Sequence, residues 1–188
     1  MFLIQEMLAT PLPKWESFYV IIGSSAGALT GLQFVVMALV ADMRRSTSFD
    51  TIGAFGTPTI VHFCVVLALS AILSAPWPSL SGPAFILALA GVVGIGYVAI
   101  VTMRARRQKG YVPVLEDWIW HVCLPFLAYM MLLIGSTLLT RNGTVGLFMI
   151  GAMSVILLFV GIHNAWDTVT FIVIERLSGA ETPAAPEE

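Results

Sequence analysis

Long uncharged runs alternate along this chain with short breaks that are charged or rich in proline and glycine. Residues 17–41 contain no Asp, Glu, Lys or Arg, and neither do residues 51–103, 118–140 and 142–166. A membrane-spanning helix needs about 20 mostly apolar residues, so each run holds at least one. The run 51–103 holds two, because "SAPWPSLSGP" at 74–83 cuts it with three prolines and a glycine, the strongest punctuators of local structure. The pattern predicts five transmembrane helices, over 17–41, 57–75, 84–103, 118–139 and 145–172. The fold class is an all-α membrane protein with one five-helix domain over 17–177. Residues 1–16 read as a short interfacial segment stopped by Pro11 and Pro13, with no basic n-region of a signal peptide. Residues 178–188, small, acidic and proline-containing, read as a disordered tail.

Composition agrees. The chain is 58% hydrophobic and 11% charged, with a mean hydropathy of +0.92, where a soluble domain carries about 25% charged residues. Such a chain has only lipid against which to place its surface, and a nucleic-acid partner is not expected. Charge decides orientation. Arg44, Arg45, Arg104, Arg106, Arg107, Lys109 and Arg176 fall on one side of the helix pattern, and only Lys14 and Arg141 on the other. Seven against two is a positive-inside bias, which predicts an outer N-terminus and a cytoplasmic C-terminus. Trp15 and Trp77 fall at the outer interface, Trp118 and Trp120 at the inner one, as an aromatic belt requires. Cys64 and Cys123, each within an apolar helix, read as buried packing thiols.

Several local signals refine the helices. Gly23, Gly27 and Gly31 form a ridge of small residues at four-residue steps, which admits close approach of a second helix within the molecule or of a second copy. Gly91, Gly94 and Gly96 suggest close packing of the third helix as well. "VADMRR" and "IVTMRARR" close helices one and three sixty residues apart, and "HFC" and "HVC" follow fifty-nine apart. These marks suggest a duplicated hairpin with one helix added, in a 2+2+1 plan. Thr57 and Pro58 read as the cap and first residue of helix two. Glu116 and Asp117 sit in a first turn where the helix dipole favours acids. Pro125 leaves the carbonyl of His121 without its N–H partner and should kink helix four.

The candidate chemistry lies in two short motifs, "DWIWH" (117–121) and "HNAWD" (163–167). Both stand in otherwise apolar helices that meet in a hairpin at "TRNG". His121 and His163 are each 21 residues from Asn142, and Asp117 and Asp167 are each 25 away. In an antiparallel pair the motifs are mirror images, with histidines at one depth and aspartates about 6 Å nearer the cytoplasm. Asp117 and His121 are i, i+4 neighbours, as are His163 and Asp167. A carboxylate so placed fixes the imidazole tautomer and leaves the other nitrogen for a proton, a metal or a partner. His62, Gln33, Tyr97 and Asn164 reach comparable depths, giving a polar layer from all five helices. Intramembrane polar groups normally face the bundle interior.

Four readings stay open: helix–helix hydrogen bonding alone, a proton or small-cation pathway, a b-type haem or metal site with histidine ligands, and catalysis, for which no nucleophile motif or HExxH is present. Arg104, Arg106, Arg107 and Lys109 would attract anionic lipid or a cytoplasmic partner. The opening of helix one, "WESFYVIIGSSAGALTGLQFVVMAL", resembles the first span of small bacterial integral-membrane proteins with no assigned activity. The resemblance implies a multi-pass protein of the bacterial inner membrane. The working expectation is a non-enzymatic membrane protein whose inner-leaflet His/Asp layer binds or conducts a proton or small cation. A haem- or metal-binding redox subunit and an assembly component of a larger, or homo-oligomeric, membrane complex are the alternatives.

Overall fold

The computed structural model of the protein describes residues 11–42, 49–107 and 114–180. After a 3₁₀ turn (Leu12–Trp15) come five helices: α1 (Glu16–Asp42), α2 (Phe49–Ser74), α3 (Ser81–Arg107), α4 (Leu115–Leu139) and α5 (Gly143–Ala180). No strand occurs among the described residues. All five helices contain stretches long and apolar enough to cross a membrane. Residues 1–10 of the interfacial segment, Arg44, Arg45, Lys109 and tail residues 181–188 lie outside the described residues, as do the side chains of Arg107 and Arg176. Helix α5 continues to Ala180, three residues into the segment read as a tail.

Several hydroxyls inside these helices are satisfied locally, whereas the buried hydroxyls of Tyr19 and Ser70 have no hydrogen-bond partner among the described residues. Ser25, Thr30, Thr102, Ser154 and Thr168 each donate to the carbonyl four residues back. At the end of α2 the Trp77 indole N–H donates to the Ile72 carbonyl at 2.6 Å, covering one acceptor that a helix C-terminus leaves open.

α1 pairs with α2 and α3 with α4, while α5 lies between the two pairs, against α4, α2 and more lightly α1. α2 and α3 follow each other in the chain yet touch little. The spatial order is therefore 1–2–5–4–3. Burial follows that order: in an apolar 18-residue stretch of each helix, 56% of α5 is buried against 17% of α1, so α5 is the centre and α1 an edge. The core is built from Phe63, Val66 and Leu69 of α2, Leu87 of α3, Tyr129, Leu132 and Leu139 of α4, and Leu147, Ile150, Met153 and Leu157 of α5.

Glycines set the closest approaches. A Cβ on Gly146 would lie 2.8 Å from the Gly135 carbonyl and from the Leu139 Cα, so the α4 and α5 backbones touch near their hairpin. Gly161 of α5 leaves room for the Phe63 ring of α2, and Gly94 of α3 for the Tyr129 ring of α4. The α1 ridge behaves unevenly. A Cβ on Gly23 would sit 2.7 Å from the Ser70 Cβ, Gly27 meets only Leu67 at ordinary distance, and Gly31 has nothing within 4 Å. The ridge is an intramolecular contact at Gly23 and an open face at Gly31.

Three local readings are corrected. α2 starts at Phe49, so Pro58 stands inside the helix instead of at its first position. Proline's fixed φ is helical, and only its missing N–H distinguishes the two settings. Cys64 and Cys123 are free and exposed on the outside of the bundle, not buried. Residues two apart project to nearly opposite sides of a helix, so burying His62 turns Cys64 outward. In α4 the break before Pro125 is a π turn, Ile119–Cys123, between α-helical Leu115–Trp118 and Leu124–Leu139. The Leu124 N–H bonds the Ile119 carbonyl five residues back. A wider turn relieves the clash of the Pro125 ring with the His121 carbonyl.

Candidate functional site

The polar groups converge at the end of the bundle where α4 begins and in the interior behind it. His163 of α5 is the centre. Its Nε2 lies 3.0 Å from Asp167 Oδ2, one helical turn on, and 3.9 Å from Glu116 Oε1 of α4. Neither carboxylate makes an aligned hydrogen bond with that nitrogen; both are close approaches that become ion pairs only when the imidazole carries a proton. The Trp120 indole stacks flat on the imidazole, with centroids 3.8 Å apart and planes within 17°. One ring face is thus covered by an aromatic plane and one edge is turned to two acids.

His121 presents Nδ1 to the backbone carbonyl of Asp117 at 3.2 Å. The Asp117 carboxylate accepts from the Val114 N–H at 2.9 Å, capping the first turn of α4. His62 of α2 is 2% exposed. Its Nδ1 lies 3.1 Å from the Tyr129 hydroxyl of α4, and the Tyr97 ring of α3 meets it edge to face at 6.4 Å.

Gln33 of α1 and Asn164 of α5 are buried at 3% and 2% exposure. The Gln33 amide nitrogen and both polar atoms of the Asn164 amide lack hydrogen-bond partners among the described residues. Buried amides are normally satisfied, so these are the orphaned polar atoms of the inner half. Arg106 lies 5.5 Å above the Trp118 ring, which ties the end of α3 to the start of α4 by a cation–π contact. Arg104 is exposed nearby. At the opposite end Tyr19, Gly23, Leu67 and Ser70 line an open groove of about 210 Å³ between α1 and α2, remote from the histidines.

The mirrored motifs meet, but one residue out of step. Gly135 of α4 packs on Met149 and Ile150 of α5. Counting back from Gly135 in uniform steps of about 3.6 residues brings His121 and Asp117 to the α5 side. The π turn holds an extra residue, and the contacts to His163 come from Trp120 and Glu116. Glu116, Trp120 and Tyr129 therefore belong to the site although the hydropathy pattern did not single them out. Glu116 read as a helix-start acid and Trp120 as an interfacial belt residue. The signal for the shift was Pro125, whose clash could have been relieved by a wider turn as well as by a kink.

The donor set bears on the metal and haem readings. Among the described residues no three His, Cys, Asp or Glu side chains form a metal-holding group. The three histidines face different partners: Tyr129, the Asp117 carbonyl and Asp167. Comparison of the chain with family models, curated proteins and solved structures finds no match. The chemistry of the site is the evidence for function.

Proposed function

We propose that this protein is a non-enzymatic, multi-pass protein of the bacterial inner membrane that binds protons at its His/Asp cluster and passes them toward the bundle interior. The observation that carries the reading is the series His163, His121, His62. These residues come from α5, α4 and α2; His163 stands 3.0 Å from Asp167 and 3.9 Å from Glu116, and His62 stands 3.1 Å from the Tyr129 hydroxyl. Histidine is the side chain whose ordinary titration range spans physiological pH. Glu116 and Asp167, both exposed to a substantial degree, supply acids at the mouth. A proton needs one lone pair at a time and suits groups with separate partners, whereas a metal cation needs several ligands on one point.

The excess of Lys and Arg near the Glu116 end supports placing that end in the cytoplasm and the N-terminus outside. The pairing of α1 with α2 and of α3 with α4, with α5 between them, supports the 2+2+1 plan. The open face at Gly31, flanked by exposed Leu32, Phe34 and Val35, supports a homo-oligomer or a larger membrane complex through α1. Arg104 and Arg106 support attraction to anionic lipid.

Infrared titration of the purified protein in lipid tests the proton reading. Imidazole bands should change on acidification, and the change should diminish in His163→Gln with the helical signal retained. Histidine bands that stay constant on acidification of the wild type would remove the proposal.

A further inference from the structure

We infer that the groove between α1 and α2 at the Trp15 end of the bundle binds the glycerol-ester region of a membrane phospholipid, whose carbonyl oxygens accept hydrogen bonds from the hydroxyls of Tyr19 and Ser70. The inference is independent of the proton reading and concerns the end of the molecule remote from the histidines. Tyr19, Gly23 and Ser24 of α1 face Leu67, Ser70 and Ser74 of α2 across the groove. The spacing places 19 and 23 on one face of α1, and 67, 70 and 74 on one face of α2. Gly23 carries no side chain, and a Cβ there would lie 2.7 Å from the Ser70 Cβ, so the two helices close the floor of the groove. At Ser24 and Ser74, both exposed, it stays open to the bilayer.

Two hydroxyls of this groove lack acceptors. Tyr19 and Ser70 are 1% and 3% exposed, and neither side-chain oxygen has a hydrogen-bond partner among the described residues. Ser25, Thr30, Thr102, Ser154 and Thr168 instead donate to carbonyls of their own helices. A hydroxyl held in hydrocarbon without a partner is costly, so this pair asks for an acceptor from outside the chain. The Tyr19 ring packs against Trp15 at 6.0 Å and Phe18 at 5.0 Å, which fixes the phenol at the groove. The Ser70 hydroxyl turns about a single bond between staggered wells. It swings from the floor into the opening without a change in backbone.

Depth, size and chemistry argue for one occupant. Ser70 is four residues before Ser74, the last residue of α2, and Tyr19 is four after Trp15. Both therefore lie about 6 Å inside the ends of their helices. Headgroups and interface take up about 5–8 Å on each side of a hydrocarbon core of about 30 Å, and lipid ester carbonyls lie at that boundary. The groove holds about 210 Å³, less than the roughly 300–1,000 Å³ of a pocket that encloses a whole small molecule. It suits part of a molecule whose remainder stays in the bilayer. Its surroundings are apolar, with Val20, Ile21 and Leu67 exposed, as contact with acyl chains requires. No Lys or Arg lines it, so the ester region and not the phosphate is the handle. A helix of a second copy uses its backbone carbonyls internally and brings acceptors only through side chains.

The test titrates the full-length protein in detergent with phosphatidylglycerol whose chains are joined by ester or by ether bonds, and counts bound lipid by native mass spectrometry. The wild type should retain the ester form at least fivefold better, because an ether lacks the carbonyl acceptor. Diester phosphatidylethanolamine should be retained as well as diester phosphatidylglycerol. Tyr19→Phe and Ser70→Ala should each lower ester retention about fivefold, the weight of one hydrogen bond, and leave ether retention unchanged. Ser24→Trp, which fills the opening from an exposed position, should abolish the preference. Infrared spectra of carbonyl-labelled diester lipid should show a hydrogen-bonded ester band with the wild type that is lost in the Tyr19→Phe/Ser70→Ala double variant. Equal retention of ester and ether lipid, a preference that survives the double variant, or a lipid-free dimer that resists dilution and dissociates in Ser24→Trp would each overturn the inference. The wild-type comparison needs no substitution, and circular dichroism of each variant separates lost binding from misfolding.

Discussion

His163 is held by three contacts that differ in physical kind: an acid on its own helix, an acid from α4, and an aromatic plane. The first could be read from spacing, because i and i+4 share a helix face whatever the fold. The other two could not, because they depend on how α4 is rotated against α5. The stack yields a direct readout, since an imidazolium against an indole quenches its fluorescence. Emission should fall on acidification in the wild type, and this pH-dependent part should vanish in Trp120→Phe while Trp118→Phe retains it. An equal pH response in both variants would exclude the stack as its source. At the far end Trp77→Phe removes the hydrogen bond to the Ile72 carbonyl and keeps the ring. A loss of about 1 kcal/mol is expected, measured by denaturant unfolding in mixed micelles.

At the scale of elements, hydropathy located all five helices, and their cores agree with the structure. Phase and ends were less accessible. Pro58 looked like a start and is internal, because proline's φ suits both settings. Pro125 signalled a disturbance in α4 but not its form. The π turn adds a residue and advances the start of α4, so that Trp120 and Glu116 meet His163. Glycine spacing was equally ambiguous. The regular ridge at Gly23, Gly27 and Gly31 is tight at only one position, while Gly94, Gly146 and Gly161 govern helix contacts. Gly94→Ala drives a methyl into the Tyr129 ring, and overpacking of this kind costs about 1–3 kcal/mol. The same change at Gly96, which has nothing within 4 Å, should be neutral or stabilise by up to about 1 kcal/mol through helix propensity. Denaturation midpoints of the two variants compare them directly; equal losses would contradict the packing of α3 on Tyr129.

At the scale of the whole molecule, α5 is the last of the described elements along the chain and the central one in space. Helices consecutive in a chain are usually neighbours, yet α2 and α3 hardly touch, and α5 separates the two pairs. That insertion brings His163 beside α4 and lets His62 of α2 reach Tyr129. The charge bias makes a further prediction: a C-terminal reporter active only in the cytoplasm should be active, and the same reporter on the N-terminus inactive. The reverse pattern would invert the orientation and place the Glu116 cluster outside.

Hydropathy determined on its own that this chain forms apolar helices, how many, and roughly where they turn, because burial in lipid acts on each segment separately. Residue spacing likewise determined that His163 pairs with Asp167, an interaction inside one helix. The tertiary structure alone decided which histidine meets which helix, that Glu116, Trp120 and Tyr129 join the site, and which glycine faces are tight. Those contacts depend on helix rotation and order, and uniformly apolar helices carry little amphipathic pattern from which either could be read.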